Sequence, residues 1–323
     1  MPTMKSKSKS KTKSKNSKSS GAPENFIGTI PYIDPHVHMA DLGWDSLEMM
    51  GIGGMRAAVN PMARPDVVIK KRSGAFDADD ILRCWDHMLW LAERYEKTFF
   101  YKVYVALSWG SNSRVHDADR LHRALADYLK HGRVVAIGEL GLDPYQWSTT
   151  VTPGESEAII AEQLAVAKDL GVPVILHSPM LKSTAHYIEG PKLPEGSPPW
   201  PFKVSTAKRT FAIADRLGIK HSKIVIDHSD ADLIRWGLEN TRAYVAISGA
   251  CVWRGIAPWQ AAQWVQKYGP ERIMVNSDAH QHLSMDAMWL PRTIREMRRV
   301  GLDEATIRRV VYDNPNKFYG LSL

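Results

Sequence analysis

Six side chains of metal-ligand type, His36, His38, Glu139, His177, His228 and Asp278, each stand at the end of a short apolar run. A His or Glu in such a place is, taken singly, most often a satisfied polar residue. Six in corresponding places are not accounted for that way. Four imidazoles and two carboxylates gathered in one buried site would be costly without a cation to pair them. His36 and His38 are separated by one residue, and alternate residues of a strand point the same way, so both rings can share one ion. Mixed nitrogen and oxygen donors suit Zn²⁺, Mn²⁺ or Fe²⁺, with Mg²⁺ also admissible, whereas thiolate-preferring metals find no ligand here. The chemistry that follows is attack by a metal-activated water.

The elements that must position these residues recur in a regular rhythm after Gly28. Eight runs rich in β-branched and apolar residues read as buried parallel strands: Tyr32–His38, Met55–Pro61, Phe99–Ser108, Val134–Gly141, Val172–Ser178, Lys223–Ser229, Tyr244–Gly249 and Arg272–Asp278. Between them lie stretches of helical period, among them Ile81–Tyr95, Leu121–Leu129, Ala158–Leu170, Ala207–Leu217 and Trp259–Tyr268. Several close on glycine, as in Leu170-Gly171 and Leu217-Gly218. Eight alternations without a change of composition predict an α/β protein, a single (β/α)8 TIM-type barrel. An open doubly wound sheet would call for a Gly-rich turn after its first strand, and this chain has none there. In a barrel all strand ends share one rim, so ligands spread over 242 positions converge. The Pro-rich stretch 190–201 reads as a long loop on that rim.

Composition narrows the class further. Residues 1–20 hold seven Lys and no acid, and removing those seven from the 42 bases leaves 35 against 35 acids. The charge-balanced remainder gives no compositional reason to expect a nucleic-acid face. Residues 1–28 read as a disordered Lys/Ser-rich tail, and 29–323 as the barrel domain. Two cysteines exclude a disulfide framework or a CxxC knuckle and point to a reducing compartment, taken here as the cytoplasm. No stretch has the length and apolarity of a membrane span. The composition leaves the oligomeric state open.

At six places the motifs resemble a known family. Asp34-Pro35-His36-Val37-His38, Ala136-Ile137-Gly138-Glu139-Leu140-Gly141-Leu142-Asp143, Val174-Ile175-Leu176-His177-Ser178, Ile226-Asp227-His228, Asn276-Ser277-Asp278 and Asn314-Pro315-Asn316-Lys317-Phe318-Tyr319-Gly320 look like the TatD-like metal-dependent hydrolases of the amidohydrolase superfamily. The resemblance covers roughly residues 30–320. It implies two divalent metal ions, the first held by His36, His38 and Asp278, the second by His177 and His228, with Glu139 bridging. It also implies Glu139 and Asp278 as catalytic, Asp278 taking the proton of the shared water. Asp34, Asp143 and Asp227 would orient imidazoles or metal water, or would cap the turns beyond the strands.

The departures bear on substrate. TatD nucleases commonly carry an Arg soon after the fifth-strand His, but His177-Ser178-Pro179-Met180 has none and the nearest cation is Lys182. Ser277-Asp278-Ala279-His280 replaces the usual Thr-Asp pattern, and Met39 replaces a Cys-His pair. The spelling DPHVHM with IDH is closer to a TatD-related branch encoded in bacterial secondary-metabolite clusters. These features favour a small ester, amide or phosphate over DNA. A TatD-type 3′–5′ exonuclease, with the Lys tail attracting the nucleic-acid backbone, is the alternative, and a non-catalytic metal-stabilised barrel is a third. Trp109, Trp147 and Trp253, which follow strand ends, are candidates to line a substrate pocket. Arg64 and Arg254 are candidates to grip a substrate anion, and His280 and His282 to assist Asp278.

Overall fold

The structure is a computed structural model that describes residues 30–62, 65, 76–111, 114–143, 151–179, 202–249, 256–280 and 286–323. The expected tail, 1–28, lies outside the described residues, as do Arg64, Trp147, Lys182, Trp253, Arg254 and His282.

Eight parallel strands follow one another around a single sheet: β1 (Tyr32–Asp34), β2 (Met55–Pro61), β4 (Lys102–Leu107), β6 (Val134–Leu140), β7 (Val174–Leu176), β8 (Ile224–Ile226), β9 (Tyr244–Ser248) and β10 (Ile273–Asn276). Helices lie between them, and the whole is the expected (β/α)8 barrel. The ladder does not run between β10 and β1. That seam is stitched just beyond the strands, by Asp278 N–H to His36 O at 3.0 Å and His38 N–H to Ala279 O at 2.9 Å. Asp34 Oδ1 adds to it by accepting the Ser277 N–H at 3.1 Å. Two short strands, β3 (Phe76–Asp77) and β5 (Val115–His116), form a separate parallel pair that the periodicity did not foretell.

Alternation along the strands explains why each reads as continuously apolar. Ile33, Ala57, Val59, Tyr104, Ala106, Ala136, Ile175, Val225, Ala246 and Met274 pack together inside the barrel, joined from below by Phe318, Tyr319 and Leu321. Their neighbours Val103, Val105, Val174, Ile224, Val245 and Ile273 join the helices in the outer core. Both faces are buried, so polar residues are excluded until the strand ends.

Local signals set the helix limits. In α2 (Ala78–Phe99), Asp77 accepts the Asp80 N–H at 2.8 Å while Asp80 accepts the Asp77 N–H at 3.3 Å, a capping box. In α4 (Pro153–Leu170) Thr152 and Glu155 do the same, with Gly171 at φ 67 ending the helix. The remaining helices used below are α1 (Trp44–Ile52), α3 (Ala118–Tyr128) and α5 (Phe202–Leu217).

Candidate metal centre

The polar rim starts where the inward parity of the core strands runs past their ends. Two residues beyond the inward Ile175, Val225, Ala246 and Met274 stand His177, Asp227, Ser248 and Asn276. Register aligns them, since Leu176 pairs with Ile226 and Ser248 with Asn276. Asp227 is the hub. Its Oδ1 accepts from Ser248 Oγ, Asn276 Nδ2 and the His228 N–H, each at 2.8 Å. Its Oδ2 accepts from His36 Nδ1. Burial opposes its charge, but the imidazoles of His36 and His228 hold its carboxyl well below the usual carboxylate range.

With Nδ1 turned to Asp227, Nε2 is the ring nitrogen that faces the rim. Within reach of that atom are His38 Nε2 at 3.2 Å, Asp278 Oδ1 at 3.5 Å and Glu139 Oε2 at 3.8 Å. His38 Nε2 lies 3.5 Å from Asp278 Oδ1 and 3.7 Å from Glu139 Oε1. Donors about 2.1 Å from a tetrahedral ion are about 3.4 Å apart, so these separations fit a divalent metal. The electrostatics agree. Although burial disfavours its charged form, His36 is pushed up to about 10 by Asp227, Glu139 and Asp278, marking a place that demands positive charge. His38, next to it, is brought down to about 4 by burial and by the His36 charge, and its buried Nδ1 has no hydrogen-bond partner. A divalent cation would pair the electron-rich atoms that converge there. Among the described residues two sets of three have ligand atoms close enough to share an ion: His36, His38 and Asp278, and His36, Glu139 and His228.

Glu139 joins the two sides. Its Oε1 faces His38, while its Oε2 lies 2.8 Å from His177 Nδ1 and 3.2 Å from His228 Nε2. Burial would raise its pKa, yet His177 and His36 hold the carboxyl well below its ordinary value. His177 belongs to neither three-residue set. Its Nε2 meets Asp143 Oδ2 at 3.2 Å, and Glu139 and Asp143 outweigh burial to raise its pKa well above the ordinary value. The approach of β6 to His177 is close enough to require Gly141, where a Cβ would fall 2.1 Å from the His177 carbonyl oxygen.

His228 and Asp278 reach the site by breaking the strand alternation with left-handed backbones, at φ 51 and φ 45. For residues with a Cβ this conformation costs about 1 kcal/mol or more. The surrounding hydrogen bonds hold it, and with the Ser248 hydroxyl proton given to Asp227, His228 Nδ1 donates to Ser248 Oγ at 2.9 Å.

Of the three carboxylates expected to orient imidazoles or cap turns, Asp227 and Asp143 touch imidazoles directly. Asp34 takes the turn role, accepting the His36 and Ser277 N–H groups, and burial raises it to about 7 against those bonds. His280 stands beside the cluster, with Nδ1 2.7 Å from the Asp278 carbonyl oxygen. Trp109, a candidate to line a substrate pocket, is buried in the outer core, its ring tilted against His122 of α3 at 5.1 Å between centroids and its backbone N–H given to Gln163 Oε1. One residue escaped the sequence reading altogether. Lys203, in the first turn of α5, is buried with its Nζ on the His228 carbonyl oxygen. Burial lowers its pKa, while Asp230, Asp227, Asp143 and Asp278 act to raise it. No motif marks it. Ser248 and Asn276 could have been found from strand parity.

Comparison with known proteins gives the family and supports the fold. An uncharacterized metal-dependent hydrolase of Methanocaldococcus jannaschii is 26% identical over 295 residues, 90% of this chain and all of the relative. The 3′–5′ ssDNA/RNA exonuclease TatD of Musicola paradisiaca is 51% identical over 47 residues, only 15% of this chain and 17% of that protein. The crystal structure of a TatD-like protein from Archaeoglobus fulgidus shares the fold, with a TM-score of 0.63 at 21% identity, covering 90% of this chain and all of the other. The TatD related DNase family matches residues 33–320, nearly the whole described barrel. The chain therefore belongs to the TatD related DNase family and is a metal-dependent hydrolase.

Proposed function

We propose that this chain hydrolyses a small ester, amide or phosphate substrate at a centre of two divalent metal ions. The supporting observation is the division of Glu139, one oxygen toward His38 and the other toward His177 and His228, which suits a carboxylate shared by two ions. His36, His38 and Asp278 would hold the first ion, and His177 and His228 the second. Bound there, divalent metal supplies an acidified water and polarises the scissile bond. Zn²⁺, Mn²⁺ or Fe²⁺ match the donor set.

The chain's own residues do the rest. Asp227 fixes the His36 ring so that Nε2 points inward. Asp278 has Oδ1 near His36 and His38 and Oδ2 3.5 Å from His228 Nδ1, a position from which it receives the water's proton and returns it to the leaving group. A small substrate accords with the charge-balanced folded sequence, and the domain responsible is 29–323 with 1–28 as an appended tail. No helix among the described residues is long and apolar enough to cross a membrane, and a cytoplasmic setting accords with the cysteine usage.

Metal analysis of reloaded protein tests the proposal. Two equivalents are expected, with Glu139→Gln weakening both. A wild-type stoichiometry of one would overturn the two-ion reading. A second reading, a 3′–5′ exonuclease, draws on the short match to the Musicola paradisiaca enzyme. It requires turnover of single-stranded DNA that disappears when residues 1–20 are removed, whereas a small-substrate hydrolase keeps its activity.

A further inference from the structure

The outer wall of the barrel carries an apolar face that the hydrolase site does not use. Of the large hydrophobic side chains exposed among the described residues, five lie on α1, on α2 or directly after it: Trp44, Met49, Ile52, Trp90 and Phe100. Ile52 is 77% exposed and Phe100 89%, values far from those of residues packed at the edge of a core. Part of the face is joined by direct contacts. Trp44 meets Phe99 at 5.2 Å between ring centroids, and the Arg94 guanidinium lies over both Trp44, at 5.8 Å, and Trp90, at 5.4 Å. Tryptophan with arginine on an apolar face is the composition of surfaces that sit at a bilayer's headgroup level.

Topology places this face beside the entry of the Lys-rich segment. The helices run back from the metal rim, so Ile52 and Phe100, at and just beyond the C-terminal ends of α1 and α2, lie at the opposite mouth of the barrel. The chain enters β1 at that same mouth, where the Tyr32 N–H bonds Gly54 O at 3.2 Å, two residues after Ile52. Lys18 precedes Ile30 by twelve residues, so its reach from that point is limited to about 40 Å. Exposed Asp45 and Glu48 on α1 offset Arg94 and Lys97 on α2, and the face has no positive surplus of its own. The seven lysines of residues 5–18 supply it.

We infer that the α1–α2 face and the lysine run together dock this enzyme on an anionic bilayer surface, with the metal rim turned toward the aqueous side. Stable attachment to a membrane takes two signals, and each is weak alone. The Lys/Ser alternation of residues 5–18 offers charge without the apolar side chains that would specify a folded protein partner.

Co-sedimentation of the full-length protein with vesicles is the test. Binding is expected to phosphatidylcholine vesicles containing phosphatidylglycerol, and not to phosphatidylcholine alone. Raising salt from about 0.1 to about 0.5 M should release it. Deletion of residues 1–20 should weaken binding about tenfold or more. The double substitution Ile52→Ser and Phe100→Ser should do likewise, with an unchanged circular dichroism spectrum because neither side chain is buried. Absence of binding to anionic vesicles overturns the inference. So does binding that the double substitution leaves intact, which would assign attachment to the lysines alone. A concentration-dependent dimer dispersed by the same substitution would give the face to a second copy, and also overturns it.

Discussion

His36 donates a hydrogen bond from Nδ1 to Asp227 Oδ2, a carboxylate 191 positions away, and this one bond decides which imidazole nitrogen faces the metal cluster. The other Asp227 oxygen is held by Ser248, Asn276 and the His228 N–H, so the carboxylate cannot turn away. Two candidate ligands, His36 by its side chain and His228 by its backbone, are thereby set by one residue.

Asp227→Asn removes the negative charge while keeping the volume. Metal affinity is expected to fall about 10- to 100-fold, as when other carboxylates behind a metal-bound imidazole are lost. Chelator competition measures it. An unchanged affinity would show that His36 keeps its orientation without the anion.

Asp278→Asn probes the proton acceptor without disturbing the turn. Asparagine accepts a left-handed backbone about as well as any residue but glycine, so Tm should move by only a few degrees. Turnover should fall by about 10²-fold or more, read as kcat at saturating metal. A kcat close to that of the wild type would assign the proton to another group.

Lys203→Met is expected to strip the His228 carbonyl of its charged donor and leave it buried and unpaired. The cost to stability is about 1–3 kcal/mol, read from denaturant unfolding. Because His228 stands in a left-handed turn that this bond helps to hold, one of the two expected metal equivalents should weaken as well. Lys203→Arg, which keeps a donor, should restore part of both losses. If metal content is untouched, Lys203 serves packing alone.

Glu155 carries the pH dependence of the α4 cap. The Thr152 N–H and then Arg114 bring its pKa from 4.5 to about 2. A carboxylate with a depressed folded-state pKa stabilises above its unfolded value and loses that contribution as pH falls through the folded one. The Tm difference between wild type and Glu155→Gln should therefore be constant above about pH 5 and shrink between about pH 4.5 and 2. A difference that persists at pH 2 would point to a charge-independent role in the capping box.

The sequence by itself determined the barrel and the composition of its rim. Strands buried on both faces must be apolar throughout, so they show as runs, and closure of eight parallel strands brings their ends together whatever their separation along the chain. That is why His36, His38, Glu139, His177, His228 and Asp278 could be grouped before any coordinates, and why Gly171 could be read as a helix end. Only the tertiary structure decided how those groups face one another. The Asp227–His36 bond, the Lys203–His228 contact and the outward turn of Trp109 depend on packing between elements distant in sequence. The left-handed turns at His228 and Asp278 defy the residues' own backbone preference. They are imposed by the hydrogen bonds around them, and residue type carries no record of that.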